Sequence, residues 1–135
     1  MQAWPVQLFP GMKKPYDISR RVFVFACSVI NAFPKTRLSP PAQKVWSQLI
    51  ASATSTGAHL EEAAAGGSRA HFLSLTRGAL REMRESNYWL RVLIATELEG
   101  FQPAMPLVDE SQELVAILST IVRHTYENAG ATRNK

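Results

Sequence analysis

A single cysteine, Cys27, is all the thiol this chain carries, so no disulfide can close within it and a stapled secreted scaffold is excluded. Cys27 lies in the apolar run FVFACSVI, where a small buried hydrophobe is the expected role rather than a reactive nucleophile. No stretch reaches the ~20 uninterrupted apolar residues that cross a bilayer. The opening MQAWPVQLFPGMKKP lacks the basic-then-apolar order of an export signal, and its prolines interrupt any helix. A cytoplasmic protein with no membrane partner is therefore expected.

The signatures of several chemistries are missing as well. Helical bundles that hold carboxylate-bridged metals carry Glu-x-x-His on two helices, yet the residues three positions before His59, His71 and His124 are Thr56, Ser68 and Ile121. A zinc-protease His-Glu-x-x-His is absent, and no Cys/His cluster suits structural zinc. Ala65-Gly66-Gly67-Ser68-Arg69 lacks the Lys-Ser/Thr of a phosphate loop and the second glycine of a nucleophile elbow. Turn chemistry between two helices explains those glycines more simply. With no nucleophile beside an acid–base pair, neither catalysis nor a cofactor or metal is expected.

Period-two alternation is also lacking, and what is present is helical spacing. The 135 residues suit one domain, 46% hydrophobic and 19% charged. Residues 1–15, broken by Pro5, Pro10 and Pro15, read as an extended arm in which Trp4, Leu8 and Phe9 have no evident place in a core. Ile18, Val22, Phe25, Val29 and Phe33 then mark one face of a helix capped by Asp17 and stopped before Pro34. Ser39-Pro40-Pro41 announces a second helix, whose face runs Ala42, Val45, Leu49, Ala53, Thr56, Leu60 and Ala63. After Gly66-Gly67, Ser68 caps a third helix extending to about Leu98, with Phe72, Leu75, Ala79, Met83, Leu90 and Ile94 inward. Past GFQPAMP, Asp109-Glu-Ser-Gln112 resembles a capping box that opens a fourth helix, with Leu114, Leu118, Ile121 and Thr125 inward. The fold expected is all-α: an antiparallel up-down four-helix bundle over residues 16–129, followed by a frayed tail at 130–135.

Two helix faces stand out. On the second helix, Ser52, Ala53, Thr56 and Gly57 are small enough to let a neighbouring helix approach closely, and their hydroxyls can bond carbonyls one turn earlier. On the third, Arg77, Arg81, Arg84, Tyr88 and Arg91 fall within an arc of roughly 80° at ~100° per residue. Glu82 and Glu85 occupy the adjoining flank. A solvated face or ion pairs to another subunit would produce such a stripe. So would a track for phosphates, with bidentate arginines and Tyr88 stacked on a base. The net charge of +4 and a pI near 9.6 are compatible with an RNA or DNA partner.

The run from Gln48 to Ile94 resembles the four-helix-bundle family of 23S rRNA intervening-sequence proteins. The residues that carry the likeness are Gln48-Leu49, Ser52, Thr54-Ser55, Gly57-Ala58, Glu61-Glu62-Ala63, Ser68, Phe72, Ala79-Leu80, Glu82, Arg84-Glu85 and Tyr88-Trp89-Leu90-Arg91. Phe33-Pro34 at the end of the first helix fits too, so the likeness spans about residues 16–128. Ala51, His59 and His71 depart from the arginine, asparagine and aspartate usual there, and Arg77 and Gly78 are also unusual. The resemblance implies an up-down bundle assembled as a homopentameric ring. Some members are encoded in insertions of ribosomal RNA genes. A related branch is similar to the accessory variability protein of diversity-generating retroelements, which binds nucleic acid and a reverse transcriptase. Two functions are therefore expected as alternatives: a non-catalytic nucleic-acid-binding accessory protein acting through the arginine stripe, or a scaffold for a partner protein such as a reverse transcriptase or ribosomal factor, acting through helix faces or the arm.

Overall fold

Helix starts follow from capping side chains. In the computed structural model, which describes residues 17–133 and side chains through residue 128, Asp17 Oδ1 accepts the Ser19 amide at 2.9 Å. It opens α1, Ile18–Ala32. Ser39 Oγ accepts the Ala42 amide at 3.4 Å ahead of α2, Pro40–Ala64, whose prolines occupy the first turn. Ser68 Oγ accepts the His71 amide at 3.1 Å and starts α3, Arg69–Ala95. Each cap satisfies a donor that the first turn cannot pair internally. Between α2 and α3 the chain turns at Gly66 (φ 109°) and Gly67 (φ 122°), a region that glycine enters without a Cβ penalty.

Two boundaries differ from expectation. The third helix stops at Ala95 because Glu97 adopts the left-handed region (φ 52°), and the Leu98 amide reaches back to the Leu93 carbonyl at 3.3 Å. That is a Schellman closure, usually marked by glycine; here the nearest glycine is Gly100 and the turn is made before it. The connector GFQPAMP holds a one-turn helix, α4, Phe101–Ala104. The last helix, α5, begins at Pro106 rather than at an Asp109 capping box, and extends to Arg133, into the segment expected to fray. Proline suits the first helical position because its missing N–H has no partner there anyway. Asp109 instead places an acid in the first turn, complementing the helix dipole. The arm at residues 1–15, with Trp4, Leu8 and Phe9, lies outside the described residues.

The four long helices form a closed set of neighbours: α1 touches α2, α2 touches α3, α3 touches α5, and α5 touches α1. Neighbours run antiparallel. Along α2 and α3, Ser52 meets Ser86 and His59 meets Gly78, so residue numbers rise on one helix as they fall on the other. Asn87 with Ser111 and Arg77 with Tyr126 show the same for α3 and α5. Among the described residues every regular element is helical.

The helical faces read from spacing supply the core: Val22, Phe25 and Val29 from α1, Leu49 and Ala53 from α2, Ala79, Met83 and Leu90 from α3, Leu114 and Leu118 from α5. Trp46, outside the expected stripe, is fully buried, and its indole Nε1 donates to the Glu99 carbonyl at 2.8 Å. Phe33, expected inward, is 40% exposed and meets Trp46 edge-on at 5.6 Å. Ile121 and Thr125 are half-buried.

Buried polar groups tie the helices in pairs. Arg21 of α1 donates through Nη2 to Glu110 Oε1 of α5 at 2.6 Å and through Nε to Oε2 at 3.3 Å. Asn87 of α3 donates to Ser111 Oγ of α5 at 2.9 Å, and Ser111 Oγ donates to the Val108 carbonyl at 2.7 Å. Such groups are tolerated inside because each finds a partner.

Candidate nucleic-acid interface

The small residues of α2 serve two neighbours. Ser52, Ala53 and Thr56 are buried, and Ser52 Oγ lies 2.8 Å from Ser86 Oγ of α3. Thr56 Oγ1 donates to the Ser52 carbonyl at 2.9 Å, so the hydroxyls are satisfied without opening the seam. Gly57 points elsewhere, toward α1: a Cβ there would sit 3.6 Å from Val22 Cγ1, an ordinary contact. The glycines with less room are others. A Cβ at Gly78 of α3 would meet the His59 ring at 3.3 Å. At Gly100 it would fall 2.5 Å from Pro34 Cγ and 2.7 Å from Trp46 Cζ2, at φ +93°.

With α3 seated against α2 and α5, its outward face carries the arginine stripe. Arg77, Arg81, Arg84, Tyr88 and Arg91 are all exposed, and from first to last they span about 21 Å at 1.5 Å per residue. The Arg77 guanidinium lies over the ring of Tyr126 on α5, 5.5 Å from its centroid. Arg91 lies over the Tyr88 ring at 5.8 Å while its Nε donates to Asn87 Oδ1 at 2.9 Å. Because Asn87 is itself bonded to Ser111, Arg91 is oriented by a chain of hydrogen bonds that begins on α5. Tyr88 also meets Trp89 edge-on at 5.1 Å.

Of the acids beside the stripe, Glu82 lies near His59 of α2 and next to Glu85. Burial raises the Glu82 carboxyl above its ordinary value, and a hydrogen bond and like charge from Glu85 push the same way; His59 and Arg81 oppose them.

Two further surfaces were invisible to spacing alone. Phe23 (58% exposed) and Ile30 (51%) flank an apolar groove between α1 and α2, lined also by Ala26, Cys27, Gly57 and Ala58. Cys27, expected in the core, is half-buried at this groove. Beside the α2–α3 turn, Arg69 donates to the Asn128 carbonyl at 3.2 Å and closes one side of a hollow lined by Gly66, Gly67, Phe72 and Thr125. Among the described residues no group of three or more His, Cys, Asp or Glu is placed to hold a metal ion. No helix among them is long and apolar enough to cross a membrane.

No protein-family model matches the sequence, and no curated protein matches it. Solved structures do. One is the 1.70 Å crystal structure of a protein of unknown function from the S23 ribosomal protein family of Bacteroides thetaiotaomicron VPI-5482. It superposes with a TM-score of 0.65 at 28% sequence identity, over 78% of this chain and 98% of that one. The present chain is thus similar, in its helical fold and part of its sequence, to a member of that family.

Proposed function

We propose that this chain belongs to the family of 23S rRNA intervening-sequence proteins, and that it is a non-catalytic accessory protein binding RNA or DNA through Arg77, Arg81, Arg84, Tyr88 and Arg91. The observation that carries the proposal is the exposure of all five residues on one face of a single long helix. Arginine forks on a fixed helix present donors to successive phosphates, and an exposed tyrosine offers a base a surface to stack on. The net charge of +4 agrees with a polyanionic partner. Likeness to a member of the S23 ribosomal protein family supports the family assignment.

Assembly into a homopentamer is the second part of the proposal. The exposed apolar side chains Phe23 and Ile30 on α1 are the kind of surface that an assembled or partnered chain covers. They also favour the second reading, a scaffold that holds a protein partner against a helix face. In an assembled ring the arginine stripe repeats, and its field adds up.

Fluorescence anisotropy with labelled RNA and DNA tests the first part. Wild type binds, and the Arg77→Ala/Arg81→Ala/Arg84→Ala variant, still folded by circular dichroism, loses most of that affinity. Undiminished binding by the triple variant would remove the stripe as the site. Mass in solution after nuclease treatment tests the second part, the expected value being five times the 15.0 kDa of one chain.

A further inference from the structure

We infer that the nucleic-acid site extends from α3 onto α5, with Tyr88 and Tyr126 as two base-stacking platforms, and that it prefers single strands over duplex. This rests on the arginine-stripe reading and deepens it. Tyr126 is 61% exposed and Tyr88 50% exposed, and each ring has an arginine guanidinium over it, Arg77 on one and Arg91 on the other. The pairing repeats at both ends of the stripe. Tyr88 lies eleven positions after Arg77 on α3, so the platforms stand on the order of 16 Å apart along the helix axis. A short run of nucleotides bridges that interval, its phosphates passing Arg81 and Arg84.

The charge around the platforms sets the path. On α5 the acids Glu110 and Glu113 turn toward α1, where Arg21 meets both. At ~100° per residue Asp109 and Glu127 lie on the outer side away from α3. The flank of α5 that faces α3 is the one holding Ser111 against Asn87 and Tyr126 against Arg77. At helical spacing Val115, Ser119 and Val122 share it, and none is acidic. Arg123, exposed and one turn before Tyr126, adds a cation at its outer edge. Glu82, near His59 of α2, and its neighbour Glu85 bound the stripe on the opposite side. A strand is therefore attracted along the α3–α5 side and repelled from the α2 side.

Single strands are favoured because exposed rings on a convex helical surface need bare base faces. In a duplex those faces are covered by neighbouring base pairs, and the protein meets phosphates, sugars and base edges but no open base face.

The test compares a labelled single strand of about 16 nucleotides with the matching duplex, using the full chain. Tyr88→Ala/Tyr126→Ala is expected to weaken single-strand binding about tenfold or more while moving duplex binding less than about twofold. Tyr88→Phe/Tyr126→Phe, which keeps both rings, retains single-strand affinity. Equal losses on both probes, or no loss on the single strand, would overturn the stacking inference. If the tyrosine variant binds normally while the triple arginine variant is weak, stacking alone fails. If the arginine variant is also unimpaired, the stripe itself is wrong and this inference falls with it.

Discussion

Gly100 has the least freedom of any glycine described in the chain. A Cβ there would overlap Pro34 and Trp46, and its φ of +93° strains any L side chain. Gly100→Ala should lower stability by about 1–3 kcal/mol or more, because backbone strain and overpacking add. Gly57→Ala should be neutral or gain up to about 1 kcal/mol, since the added methyl meets Val22 at van der Waals distance and alanine is the better helix former. Thermal melts of the two variants decide the matter; the opposite ranking would show that Gly57, not Gly100, is the confined position. Glu82 gives a pH prediction at the same scale. Its folded carboxyl is raised above 4.5, first by burial and then by Glu85, so the folded state holds that proton to higher pH than the unfolded chain. Its contribution to stability is therefore greatest at low pH and falls as pH rises through the raised value. Glu82→Gln should match wild type in acid and melt higher at neutral pH. A variant that melts lower at neutral pH would contradict the burial assigned to Glu82.

Among the elements, α1 and α5 are joined by a buried ion pair, Arg21 (7% exposed) with Glu110 (4%). Removing Glu110 takes away both short hydrogen bonds of a buried guanidinium and leaves it the longer contact to half-exposed Glu113 at 3.6 Å, so Glu110→Ala should cost up to about 3–5 kcal/mol. Replacing both, as in Arg21→Met/Glu110→Leu, should recover most of that loss, because an apolar pair carries no desolvation penalty. Denaturant midpoints for the single and double variants check this, and a double variant no better than the single one would mean that the loss is not electrostatic. Neither residue stood out in the sequence. Arg21 sits beside Arg20 next to Val22, and Glu110 sits inside Asp109-Glu-Ser-Gln112, where a capping box was the simpler reading. Charges spaced 89 positions apart along the chain leave no local pattern. The caps Asp17, Ser39 and Ser68 were legible because capping is local: a side chain, a turn and the start of a periodic face. The start of α5 was not, since Pro106 and Asp109 are both good openings and only packing chooses between them. The arginine stripe was legible as periodicity on α3. Tyr126 was not, because its place beside Arg77 depends on how α5 is aligned against α3.

Across the whole molecule, the four long helices carry different surfaces. The α3–α5 side presents arginines and exposed tyrosines, while α1 presents Phe23 and Ile30. A polyanion suits the first and an apolar protein surface the second. The two parts of the proposal therefore make separable demands on one fold, and substitutions on α1 should change assembly mass before they change affinity per chain. The most direct test of the central claim is the salt dependence of nucleic-acid binding, measured by anisotropy for wild type and for the Arg77→Ala/Arg81→Ala/Arg84→Ala variant. Each arginine on a phosphate contributes about 0.7 to the slope of log affinity against log salt for a single strand. The slope should therefore be steep in wild type and shallower by about 2 per bound chain in the variant. Equal slopes for the two proteins would contradict the assignment of the stripe to phosphate.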